Sequence, residues 1–412
     1  MICFLCFFCL FLTSCSSSND TFFLDYAASA EINKEALSEF NRVSLINGNS
    51  SGINRHSKIL AEIEKKSARI IAEKINAEPD QILFVNNATM ATNIAILGVA
   101  ARYPKCHFIT SRIEHKGLLN VFRHLESTGC KVTYIDTDRF GNINLKQLEA
   151  AVRTDTKLIS IQAFNSEIGV MQDIKSVGKI ARKHGILFHS DASQAFCRYD
   201  IDVREIGLDL MTISGYKTGA PKGIAGLYIR DRSILKPILF GAGDELFPGT
   251  KPTALIASFA SAVEKFRWNQ KQTEANFRIL VSELQKIKDV HINSPVPSHI
   301  VSVSIGGVML NDLLENLKNY SFSSGCSCLG QDHSNVIKSI DPKGNLPPCT
   351  IRISFSDKVT SNDLIKFAQN LGDVVTGLRG EKKIEGAGCP LSGNEKAKND
   401  LNILLREIKN LP

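Results

Sequence analysis

Two positions stand out by residue type and spacing. Asp191, in Phe188-His-Ser-Asp-Ala-Ser-Gln194, and Lys217, in Ser214-Gly-Tyr-Lys217, each come after an apolar run that stops abruptly in small polar residues. Such a stop is how a buried parallel strand hands over to a loop. In open α/β sheets ligands bind at the carboxyl ends of strands, so this spacing brings an acid and an amine to one crevice. An amine there can form a Schiff base, and a carboxylate can pair with a pyridinium nitrogen, which is the equipment pyridoxal phosphate needs. Taken alone, a lysine after a strand is a solvated loop charge, and an aspartate at a strand end is a helix cap.

Other residues have types that suit the same chemistry. Thr89, in Asn86-Asn-Ala-Thr89, can cap a helix after a short strand and donate its hydroxyl, where backbone N–H groups and the helix dipole favour a phosphate. His115 sits in a turn and can move protons. Arg352, in Thr350-Ile-Arg-Ile-Ser-Phe355, offers a fork for a carboxylate or else an edge ion pair. Cys326 and Cys328 form a C-x-C pair in a Gly-Ser-rich, charge-poor segment. A metal site is open to such a pair, but zinc wants four ligands and only His333 is near, so the expectation is no metal. A thiol on a mobile loop is the other reading.

These positions need a scaffold, and the hydrophobic periodicity supplies one. Strand patterns over 82–85, 107–110, 132–135, 158–162, 186–188, 210–213 and 223–229 alternate with helical patterns from Thr89, Lys116, Leu145 and Val177. Repeated β-α-β of this kind predicts a mostly parallel sheet covered on both faces. After Pro248 the pattern changes: helices over 253–268 and 274–287 precede a new strand-helix set from Ile300 to Leu371, which predicts a smaller second α/β domain. The expected boundaries are an apolar segment 1–20, a large domain 21–252 whose stretch 21–35 packs near the active site, a small domain 253–378, and a mobile tail 379–412 with a short helix over 401–411.

The composition excludes some classes. The chain has 412 residues, 43% of them hydrophobic, which is enough for a large core and more natural for two domains than one. Its net charge of +7 is mildly basic, yet no basic run interleaves with aromatics, so direct nucleic-acid binding is not expected. The eleven cysteines show no paired framework and fit reduced thiols in a cytoplasmic enzyme. The segment 1–20 reads either as a lipoprotein-like signal that would tether the protein to a membrane or as a start-site extension. It lacks the opening positive charge of a signal peptide and is too short to span a bilayer.

The ordered motifs Leu24-Asp-Tyr-Ala-Ala28, Asn86-Asn-Ala-Thr89, Ser111-Arg-Ile-Glu-His115-Lys, Phe164-Asn-Ser-Glu-Ile-Gly169, His189-Ser-Asp-Ala-Ser-Gln194, Ser214-Gly-Tyr-Lys217, Gly249-Thr250, Ser323-Ser-Gly-Cys-Ser-Cys328 and the Arg352 strand span most of the chain. Together they resemble the class V aminotransferase family of fold-type I pyridoxal-phosphate enzymes, and within it the cysteine desulfurases. The resemblance implies a large domain built on a seven-stranded sheet and a smaller C-terminal α/β domain. It implies pyridoxal 5'-phosphate held by Ala88, Thr89, Ser166, Asp191, Gln194, Ser214, Tyr216 and Lys217. Lys217 would carry the Schiff base, Asp191 would keep the ring nitrogen protonated, Gln194 would bond the ring's phenolic oxygen, and His115 would stack on the ring. Thr250 would reach the phosphate of the neighbouring subunit in a homodimer, and Arg352 would grip the carboxylate of L-cysteine.

Cys328 aligns with the family's nucleophile, which implies alanine and a persulfide as products, delivered to iron-sulfur scaffold or tRNA-thiolation partners. The chain departs from the family at Asn87 for Gly, Met90 for Glu, Ser166 for Asn and Tyr216 for His, and Pro248 precedes Gly249-Thr250 with the family's usual arginine missing. Two alternatives stay open: another class V lyase or aminotransferase such as a selenocysteine lyase, and, motivated by Ser166, Asn87, Met90 and the missing arginine, a non-catalytic paralogue that binds partners.

Overall fold

The computed structural model describes residues 21–324 and 334–381; the segment 1–20, Cys326, Cys328 and the helix expected over 401–411 lie outside them. In chain order the first elements are β1 (Phe22–Phe23), α1 (Lys34–Ser44), α2 (Arg55–Glu73), β2 (Ile82–Val85), α3 (Ala88–Arg102), β3 (His107–Ser111), α4 (Lys116–Ser127), β4 (Lys131–Ile135), α5 (Leu145–Ala150), β5 (Thr156–Ser160), α6 (Ile174–His184), β6 (Leu187–Asp191), α7 (Val203–Ile206), β7 (Leu210–Ser214) and β8 (Ala225–Ile229). The remaining elements are α8 (Thr253–Lys265), α9 (Gln270–Leu284), β9 (Val290–Ile292), β10 (Ile300–Ile305), α10 (Leu310–Asn316), β11 (Tyr320–Ser321), β12 (Ser323–Ser324), α11 (Asn335–Ile340), β13 (Cys349–Ser354) and α12 (Ser361–Glu381).

β2 to β8 form one seven-stranded sheet in the order β2-β8-β7-β6-β5-β3-β4. The pairs from β7 across to β4 are parallel, and β8 runs antiparallel to both of its neighbours. Two reversals return β2 to the direction of β7, so β2, β3, β5, β6 and β7 all end on the same edge. Successive side chains of a strand point to opposite faces, and here both faces are apolar. Phe108, Leu158 and Leu210 enter one buried cluster with residues of α3 and α4, while Ile109, Ile159, Phe188 and Ile213 enter the other with residues of α2, α6 and α8. Packing is close enough under α6 that a Cβ added at Gly178 would lie 1.9 Å from the carbonyl oxygen of Ile206.

The smaller unit is an antiparallel sheet, β12-β13-β10-β9, whose core is filled by Phe277 and Leu280 of α9 and by Leu364, Phe367 and Leu371 of α12. Its limits differ from the sequence expectation in three places. Helix α8 was expected to open the small domain, yet Ile256, Phe259 and Ala262 bury in the core of the large sheet. Stretch 21–35 was grouped with the large domain, but Leu24 buries in the small core and its N–H donates to Ser321 O at 2.7 Å, while Ala27 enters the large one. Helix α12 runs to Glu381, beyond the expected end at 378, with Val375 buried in the small core. In each case the apolar pattern gave an element's existence, and the sheet it packs on was settled by long-range contacts.

Candidate active site

The converging strand ends form one pocket, and nine of the residues expected from sequence line it: Ala88, Thr89, His115, Ser166, Asp191, Gln194, Ser214, Tyr216 and Lys217. Lys217 lies in a single 3-10 turn, Tyr216–Thr218, directly after β7. The Thr218 hydroxyl closes that turn on Gly215 O at 2.8 Å. Gly215 is required there, since a Cβ would sit 2.8 Å from Ile224 O. Burial pulls the Lys217 ammonium down to about 8, with Asp191 pulling the other way and Arg352 and Arg198 reinforcing the drop. An amine that sheds its proton near neutral pH is a competent nucleophile and base.

Asp191 ends β6, and its Oδ1 accepts from Ser193 N at 2.9 Å, which fixes the carboxylate at the strand end. His115 caps α4: its Nδ1 accepts from Gly117 N at 3.1 Å. A ring nitrogen that accepts an N–H carries no proton, so the neutral ring bears its proton on Nε2. Burial and Lys217 lower the His115 pKa while Asp191 opposes them, which keeps the ring neutral. The capping of α3 differs from expectation. Asn87 is the N-cap, its Oδ1 accepting from Met90 N at 2.9 Å, and Thr89 sits in the first turn with its side chain left to line the pocket. The departure from glycine at position 87 therefore supplies the cap.

Arg352, on β13, does not line that pocket. Its Nη2 donates to Asp25 Oδ1 at 2.7 Å and to Ser323 Oγ at 3.0 Å, and its Nη1 donates to Ser166 O at 2.9 Å. The fork expected to hold a substrate carboxylate thus already holds the carboxylate of Asp25, and its buried Nε has no partner. Asp25 carried no signal of its own; only its place in the motif of the first strand brought it near the site. Ser323 is the register partner of Arg352. Thr250 is exposed and lies away from the pocket, after Gly249 at φ 113.

Glu114 and Gln162 were missed by sequence reasoning. The buried Glu114 carboxyl meets the Ser111 hydroxyl at 2.6 Å and accepts from Gln162 N at 3.0 Å, while Gln162 Nε2 donates to Ile113 O at 2.6 Å. This network ties the His115 turn to the end of β5. Burial raises the Glu114 pKa to about 8, against the pull of those hydrogen bonds. The carboxyl is neutral in the fold and ionised in the unfolded chain between its ordinary value of 4.5 and about 8. Its contribution to stability is therefore full below pH 4.5 and is lost as pH rises through about 8. Glu114→Gln, a neutral isostere, is expected to flatten the fall in melting temperature between pH 5 and 8. Parallel wild-type and variant curves would show that the carboxyl is ionised in the fold.

The profile of the family described as "Aminotransferase class-V" matches residues 22–367. The chain belongs to this family. Among curated class V relatives, the cysteine desulfurase IscS of Pseudomonas putida (strain W619) is 32% identical over 377 residues, covering 87% of this chain and 93% of the relative. The IscS of Pseudomonas aeruginosa (strain LESB58) is 31% identical over 378 residues with the same coverage. Among solved structures, one titled "SspA in complex with cysteine" shares 33% identity at a TM-score of 0.75, covering 82% of this chain and all of that one. A "NIFS-LIKE PROTEIN" shares 26% identity at a TM-score of 0.79, covering 87% of this chain and all of that one.

Class V enzymes of this kind use pyridoxal 5'-phosphate. The residues of this class V chain fit that group on an observation of their own: the buried Ser193 Oγ, Ser214 Oγ and Gln194 Oε1 have no hydrogen-bond partner. Buried polar atoms are nearly always paired, so three orphans around one pocket call for a polar ligand. Gln194 Nε2 is committed to Ala27 O at 2.7 Å, which leaves the acceptor Oε1 as its unpaired atom. Gln194 in this orientation can accept from a hydroxyl, a phenolic one included, or from another donor. Among the described residues there is no metal-binding cluster and no helix long and apolar enough to cross a membrane.

Proposed function

We propose that this class V enzyme is a cysteine desulfurase, taking sulfur from L-cysteine to leave L-alanine and a persulfide on Cys328. The observation that carries the reading is the buried Lys217 amine beside Asp191 at the carboxyl edge of the sheet, in a chain aligned over nearly all of its length with cysteine desulfurases. When bound, pyridoxal phosphate supplies an electron sink for the substrate α-carbon.

The protein's own groups do the rest. The first turn of α3 offers N–H groups and the Thr89 hydroxyl to a phosphate, and Ser214 adds its orphan hydroxyl. Asp191 holds a proton on the ring nitrogen. Lys217 Nζ anchors the cofactor and then moves a proton at the α-carbon, and the neutral His115 offers its Nε2–H to the same space. Arg352 orients the substrate carboxylate, exchanging Asp25 for it. The Cys328 thiolate would attack the substrate sulfur to form the S–S bond as the cysteine Cβ–S bond breaks, its electron pair staying on the carbon, which takes up a proton.

The enzyme acts as a homodimer in which Thr250 serves the partner's phosphate site. Its exposed position and that of Phe240 earlier in the same loop, 88% exposed, support this reading. The persulfide passes to an iron-sulfur scaffold or tRNA-thiolation protein. The test is the visible spectrum of the purified protein before and after L-cysteine and a reductant, with sulfide and alanine assayed together. A shifting band with sulfide and alanine in equal amounts is expected. A colourless protein that pyridoxal phosphate cannot reconstitute would overturn the reading in favour of a non-catalytic subunit.

A further inference from the structure

Arg198 lies four residues beyond Gln194 and is 4% exposed. Its guanidinium lies against the rings of Trp268 at 5.2 Å, Tyr26 at 5.6 Å and Phe266 at 5.7 Å. Among the described residues the polar groups that act on it are the Tyr26, Cys197 and Tyr199 side chains and no carboxylate, and its Nε is buried without a partner. A buried cation without a counter-ion is costly, and aromatic faces offset only part of that cost. Its two remaining nitrogens are spent on main chain: Nη2 donates to Lys217 O at 2.7 Å and Nη1 to Gln194 O at 3.2 Å.

Among the described residues no other side chain donates to both of those carbonyls. β6 and β7 are paired up to Asp191 and Thr212, and one further bond runs from Ala192 N to Thr212 O at 2.9 Å. Beyond that point the ladder ends, yet both Gln194 and Lys217 lie beyond it. We propose that Arg198 is a positioning residue for the cofactor: it joins the loop carrying Gln194 to the turn carrying Lys217 through one hydrogen bond to each main chain. The proposal rests on the reading of Lys217 and Gln194 as cofactor contacts.

The charged groups facing Lys217 are Asp191 and Asp25, which favour its ammonium, and Arg352 and Arg198, which oppose it. His115 and His299 also feel it, and burial lowers both of their pKa values. Only Arg198 among these is joined to the Lys217 main chain by a hydrogen bond of its own. Its removal should therefore act in two separable ways, through charge and through geometry.

The test uses the full chain with Arg198→Met, which removes charge and bridge, and Arg198→Lys, which keeps the charge and loses the two-carbonyl bridge. Pyridoxal phosphate affinity is read from the visible band. The Lys217 amine is titrated independently in cofactor-free protein by the pH dependence of its acylation with acetic anhydride, read by mass spectrometry. Arg198→Met is expected to raise the acylation midpoint by about one pH unit. Arg198→Lys is expected to leave that midpoint unmoved and to weaken pyridoxal phosphate binding roughly tenfold. A purely structural arginine would not separate the two readouts.

An Arg198→Lys protein that binds pyridoxal phosphate as the wild type does, or an Arg198→Met midpoint equal to the wild type's, overturns the proposal. If the methionine variant does not fold, the lysine variant still decides it. A wild-type chain that takes up no pyridoxal phosphate while the acylation shift appears upholds the coupling of Arg198 to Lys217 and removes the cofactor reading instead.

Discussion

Lys217→Ala is expected to yield a folded protein that has lost the visible band of covalently held cofactor, with turnover down by roughly 10^3-fold or more. Two losses combine in that figure. The amine that anchors the cofactor is gone, and so is the base nearest the reacting carbon. Folding should survive, because the native state desolvates this amine, and alanine removes that penalty along with the side chain. The turn itself is closed by main chain and by Thr218, not by the lysine amine. The check is a pair of measurements on one preparation, the absorbance spectrum with pyridoxal phosphate and the thermal melt. A folded variant with the wild-type spectrum would refute the role of Lys217.

Cys328→Ala separates the second half of the chemistry from the first. This variant is expected to bind the cofactor as the wild type does and to change colour with L-cysteine, while sulfide release falls by at least about 10^3-fold. Lys217, Asp191 and His115 stay in place, so events at the α-carbon remain possible. The lost group is the thiolate that accepts the sulfur atom. Cys326, two residues away, is the natural control, and Cys326→Ser should retain activity. Sulfide released at the wild-type rate by Cys328→Ala would sink the assignment of the nucleophile.

Much of this protein was legible as sequence because the relevant signals are local. Strand β2 was expected over 82–85 and β10 over 300–305, and both form over those residues, since an apolar run bounded by polar residues needs only its own neighbours to be recognised. The pairing of Asp191 with Lys217 was legible for a related reason. Parallel strands that end in small polar residues deliver their next residues to one edge of the sheet, and the parallel pairing of β6 with β7 does so here. Local rules also had limits: the cap of α3 fell to Asn87 and not Thr89, a choice between two good capping residues that spacing alone leaves open.

The sequence by itself determined the elements, the order in which they come, the side chains that stand at strand ends, and through its ordered motifs the family. The tertiary structure alone decided which core α8 and Leu24 would join, that Asp25 would occupy the Arg352 fork, and that Arg198 would sit among three aromatic rings behind Lys217. The physical reason is separation along the chain. Periodicity, capping and turn chemistry act within a few residues, whereas Asp25 and Arg352 stand 327 positions apart and meet only because the chain leaving β1 bridges to Ser354 at the end of β13. A charge finds its partner through the packing of sheets, and no window on the sequence is wide enough to contain that choice.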